Sequence, residues 1–123
     1  MELKTIATVV EGDGKATEEQ IAAWKKLYGE VFEIEVRGKF CYLRGFDRAT
    51  MKLALSQLNV KINTEDQSAD FDMNKMIEIG EIGLQNCWLY GAEEIKNNDG
   101  LWIAASLQAG SLFNLEETKL KKL

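Results

Sequence analysis

The sequence predicts an α+β domain in which an N-terminal helix and a β-hairpin precede a small, mostly helical bundle. Three observations carry that prediction. Val31-Phe32-Glu33-Ile34-Glu35-Val36 alternates apolar and acidic residues, the mark of a strand with one buried and one wet face. Arg37-Gly38 then supplies a tight reversal into a second strand, Lys39-Phe40-Cys41-Tyr42-Leu43-Arg44, which makes a hairpin. On either side of the hairpin, apolar residues recur at helical spacing: Ile21, Trp24 and Tyr28 before it, and several longer stripes after it.

Each element has its own local signal. Residues 3–10 are rich in β-branched side chains and suggest a strand, so residues 1–14 are expected to be a strand or an arm. Thr17-Glu18-Glu19-Gln20 has the spacing of a capping box, which starts a helix that Gly29 is placed to stop in a left-handed cap. Asp47 is a good N-cap for a second helix, with Phe46 able to staple onto Met51 and a buried stripe of Met51, Ala54, Leu55 and Leu58. Residues 59–69 read as a loop. A long helix is expected from Asp70 or Asp72 to about Tyr90, with Met73, Met76, Ile77, Gly80, Leu84, Cys87 and Trp88 near one face and Gly91 ending it. A last helix is expected to begin at Asp99 as its cap, before a lysine-rich tail at Lys119, Lys121 and Lys122.

Composition narrows the function classes. The chain has 123 residues, 46% of them apolar and 28% charged, which is the composition of one globular domain spanning 1–123. Its net charge is −5, so most of its surface should repel a phosphate backbone, and nucleic acid is not expected as a partner. No apolar run is long enough to span a bilayer, and Met1-Glu2-Leu3-Lys4-Thr5 lacks the basic start of a signal peptide. No membrane partner is expected, and the location should be cytoplasmic.

The sequence offers no set of residues from which an active site can be assembled. Histidine is absent, which removes the commonest general base and the commonest zinc ligand. Cys41 and Cys87 each lie in apolar surroundings, where a thiol behaves as a small buried hydrophobe. Gly12-Asp13-Gly14-Lys15-Ala16-Thr17 has part of a phosphate-cradling loop, but Val9 stands at the first glycine's position and Ala16 at the hydroxyl's. Asp70, Asp72, Asn74 and Glu81 have the spacing of an EF-hand loop, yet Lys75 replaces the glycine that its sharp turn requires. Gly80-Glu81-Ile82-Gly83 has the G-x-x-G of a nucleic-acid clamp without basic neighbours, and close helix packing accounts better for its small residues. Adjacent acids such as Glu18/Glu19, Glu93/Glu94 and Glu116/Glu117 do not face each other on a helix and read as solvated surface. No cofactor, metal or catalytic residue is expected.

Aromatic residues remain. Trp24 and Trp102 fall at helical spacing and are expected in the core. Trp88, Leu89 and Tyr90 are successive large residues expected near a helix end, where side chains diverge by roughly 100° per residue, so at least one should be left for a partner.

The order of these features resembles a known family. Trp24-Lys25-Lys26-Leu27-Tyr28-Gly29-Glu30-Val31-Phe32-Glu33-Ile34-Glu35-Val36 running into the hairpin, Arg44-x-x-Asp47-Arg48, Asn86-Cys87-Trp88 and Gly91-Ala92-Glu93-Glu94-Ile95 resemble the tail-assembly-chaperone-like proteins of tailed phages and prophages. The resemblance covers residues 17–123. It implies a non-enzymatic protein that binds the long helical tape-measure protein and covers its apolar stripes during assembly. The alternative is an interaction or regulatory module of a mobile element with another protein partner.

Overall fold

The computed structural model describes residues 8–57, 73–113 and 121–122. Strand β1 (Thr8–Val10) leads through the turn at 11–14 to helix α1 (Glu18–Tyr28). The capping box forms as its spacing predicts: Thr17 Oγ1 accepts from the Gln20 amide at 3.1 Å, and Gln20 Oε1 accepts from the Thr17 amide at 2.9 Å. Gly29 ends α1 with φ 83° and ψ −86°, a positive-φ conformation outside the left-handed helical well expected for the cap.

Strands β2 (Val31–Val36) and β3 (Lys39–Arg44) form the expected hairpin. Arg37 and Gly38 both have positive φ, 51° and 73°, the pairing a type I′ turn requires to match strand twist. Helix α2 (Arg48–Gln57) starts where Asp47 Oδ1 accepts from the Thr50 amide at 2.8 Å. Its buried face is Thr50 and Ala54, with Met51 half-buried; Leu55, expected inside, is exposed. Leu58 and the loop expected at 59–69 lie outside the described residues.

Helix α3 runs from Met73 to Cys87, and the chain enters strand β4 (Trp88–Ala92) with no intervening residue. The sequence expectation of a helix continuing to Tyr90 and ending at Gly91 is therefore corrected. The reason is tertiary: β4 is paired on both sides, parallel to β1 and antiparallel to β3, and Trp88-Leu89-Tyr90 are large residues that suit a pleated surface. Gly91 has a packing role, because a side chain there would run into Cys41 and the Trp88 indole. Short helix α4 (Glu93–Asn97), not anticipated, precedes α5 (Asp99–Gly110). The cap of α5 is Asn98 rather than Asp99: its side chain accepts from the Leu101 amide at 3.0 Å.

The sheet order is β1-β4-β3-β2. One face carries the main core, where Ile34, Cys41, Leu43 and Trp88 pack with Ala54 of α2, Ile79 and Leu84 of α3 and Ala105 and Ala109 of α5. The backbones of α3 and α5 meet closely: a Cβ on Gly80 would overlap the Ser106 carbonyl, and one on Gly110 would overlap Met76. Small residues thus bring the two helices together. Among the described residues, the opposite face carries only α1 and the loop before it.

Candidate protein-docking face

The α1 side of the sheet is thinly covered. Among the described residues, only Ala16, Tyr42 and Leu89 are buried there, while Ile21, Trp24, Val31, Phe40 and Tyr90 remain half-buried around them. Helix α1 itself contains no fully buried residue, and Leu27 near its end is 73% exposed. Three aromatic rings form a triangle on this face: Trp24 lies 5.5 Å from Tyr42 and 5.8 Å from Tyr90, and Tyr42 lies 6.4 Å from Tyr90, all tilted. Such geometry is favourable for ring quadrupoles.

A register slip builds the triangle. Tyr42 pairs with Tyr90 but Leu43 pairs with Trp88, so Leu89 is the extra residue on β4. Two residues opposing one put Leu89 and Tyr90 on the same face, away from Trp88. Trp88 (2% exposed) sits in the main core and Leu89 (4% exposed) beneath α1, while Tyr90 keeps exposed surface. Of the three residues singled out as partner-binding, then, only Tyr90 reaches an open face, and a strand bulge rather than helical divergence separates them.

Beside the rings lies a polar cluster. The Tyr42 hydroxyl donates to Glu33 Oε2 at 2.7 Å and accepts from the Ala16 amide at 3.2 Å. Lys15 Nζ donates to the same carboxylate oxygen at 2.9 Å and stands 4.5 Å from the centre of the Phe40 ring. The Lys15 ammonium, and then the Tyr42 hydroxyl, hold the Glu33 carboxyl below its usual range. In return Glu33 raises the Lys15 pKa. Burial, chiefly, raises that of Tyr42. The loop that delivers Lys15 is fixed at Gly14 (φ 77°), where any Cβ would overlap Ala92 N and Phe40 O, and by a 2.7 Å hydrogen bond from the Phe40 amide to Asp13 O. The loop's resemblance to a phosphate cradle is thus accounted for by backbone packing, an ion pair and the cap at Thr17.

The other motifs are also located. Asn74 and Glu81 lie along α3, and Glu81 Oε2 accepts from the Trp102 indole at 3.1 Å; Asp70 and Asp72 lie outside the described residues. Trp24 and Trp102, expected in the core, are both half-buried. Cys41 and Cys87 are free and buried, and burial pushes Cys41 up to about 12 and Cys87 upward as well, leaving both as unreactive thiols at neutral pH. Among the described residues, no three His, Cys, Asp or Glu side chains are grouped to hold a metal ion, and no helix is long and apolar enough to cross a membrane.

Sequence reasoning missed the Tyr42–Glu33–Lys15 cluster, although part of it was signalled: a two-residue turn at Arg37-Gly38 sets Glu33 opposite Tyr42. Compared with protein-family models, curated proteins and solved structures, the chain matches none.

Proposed function

We propose that this chain is a non-enzymatic binding protein of the tail-assembly-chaperone kind, which uses the Trp24–Tyr90 face to cover an apolar stripe of a long helical tape-measure protein in the host cytoplasm. The observation that supports this reading is the asymmetry of the two sheet faces. Among the described residues, one is closed by α2, α3, α4 and α5, whereas the other leaves Trp24, Tyr90, Ile21, Val31 and Phe40 half-buried under a single helix without a buried residue. Half-wet aromatic surface releases free energy when a partner removes it from water, at roughly 25 cal/mol per Å², and aromatic anchors dominate interface energetics. A net charge of −5 lets such a protein work beside nucleic acid without condensing on it.

The test is co-expression with the tape-measure protein of the same gene cluster, followed by affinity capture. Wild type should retain the partner, while Trp24→Ala and Tyr90→Ala should lose it and remain folded. Failure of the wild type to capture it removes this reading.

A further inference from the structure

The position that Lys15 occupies has the chemistry of a cation seat. Glu33 Oε2 lies 2.9 Å from the ammonium and the Phe40 ring centre 4.5 Å from it, and Glu35 is near enough to act on its charge. The Glu33 carboxylate is oriented independently of Lys15, because the Tyr42 hydroxyl donates to it at 2.7 Å. Lys15 comes from a loop, and the pair is exposed, with 51% of the Lys15 side chain and 39% of the Glu33 side chain open to solvent. Exposed ion pairs of this kind are weak, being screened by solvent and costly in side-chain entropy, so the occupant is exchangeable. The seat also adjoins the half-buried aromatic surface through Phe40 and Tyr42.

Resting on the docking reading above, we infer that this seat receives a lysine or arginine of the partner, and that Lys15 holds it in the free protein. The favoured partner is then a helix whose apolar stripe is flanked by a basic side chain. Its apolar stripe covers Trp24 and Tyr90, and its cation displaces Lys15 from Glu33 and Phe40. Charge complementarity supports this occupant: Glu33 and Glu35 both act on the Lys15 ammonium, so a cation that replaces it enters a negatively charged seat.

The probe is a designed amphipathic helical peptide carrying one lysine beside a leucine stripe, compared by calorimetry with the same peptide carrying glutamine there. On wild type the lysine peptide should bind several-fold more tightly. Lys15→Met should raise its affinity about threefold by freeing the seat. Lys52→Met, on α2 across the sheet, makes the same change in net charge and should leave the affinity unaltered. Glu33→Gln should erase the difference between the two peptides. Equal binding of both peptides to wild type, or equal gains from the two lysine variants, overturns the seat while leaving the docking face standing. Binding of neither peptide counts against both. The peptide comparison on wild type needs no substitution, so it holds even if a variant is destabilised.

Discussion

Tyr42 and Glu33 face each other across the β2–β3 pair, and the phenol donates to the carboxylate at 2.7 Å. Tyr42 is almost wholly buried, so the bond fixes a carboxylate at the margin of the aromatic face from beneath. Tyr42→Phe removes the donor and also strands the Ala16 amide that the hydroxyl accepts from. The expected cost is about 1–2 kcal/mol of stability, read as a lowered midpoint in denaturant.

The same pair sets an acid dependence. Lys15, followed by Tyr42, lowers the Glu33 pKa from its ordinary 4.5, so the folded state binds the Glu33 proton more weakly than the unfolded state does. The associated stability is present above that ordinary value and is lost as pH falls through the folded value. Because Glu33 is well exposed, the effect should be small. Thermal midpoints measured from neutral pH down to about pH 3 should fall less steeply for Lys15→Met than for wild type; identical acid limbs would contradict the assignment.

Gly80 gives the strongest expected loss of stability. A Cβ there overlaps the Ser106 backbone carbonyl in α5, whereas one at Gly83 meets only the Phe46 ring. Gly80→Ala should therefore destabilise by about 2–4 kcal/mol and Gly83→Ala by less, since a ring yields more readily than helix backbone. Equal unfolding midpoints for Gly80→Ala and wild type would show that α3 and α5 are not in this contact.

Both cysteines should resist modification. Burial raises each thiol's pKa, that of Cys41 to about 12, so little thiolate exists at neutral pH and access requires opening of the core. Labelling with a disulfide reagent should be slow in native protein and fast in denaturant. Rapid native labelling of either residue would point to an activated thiolate.

Much of the fold was legible because its signals are local. The Thr17–Gln20 box, the Asp47 cap and the two-residue turn act over a few residues, and each forms. The end of α3 was not legible: Leu84, Cys87 and Trp88 fall at helical spacing by coincidence, and only pairing with β1 and β3 makes Trp88–Ala92 a strand. That one of Trp88, Leu89 and Tyr90 keeps exposed surface was legible, but neither which one nor the cause was. Three successive large residues do signal divergent side chains, yet the divergence comes from a bulge, which depends on the register between β3 and β4. Trp24 looked like core because its spacing is that of a buried stripe; nothing local reveals that, among the described residues, α1 is the one helix on its sheet face.

The most direct test of the central claim is the affinity of the purified protein for the tape-measure protein, measured for wild type, Trp24→Ala and Tyr90→Ala beside each variant's thermal midpoint. Trp24 and Tyr90 are half-buried and 5.8 Å apart on the open face. Each substitution should therefore weaken binding by about 2 kcal/mol, roughly thirtyfold, with the fold retained. Unchanged affinity in both folded variants, or no binding by wild type, would contradict the assignment of this face as the docking surface.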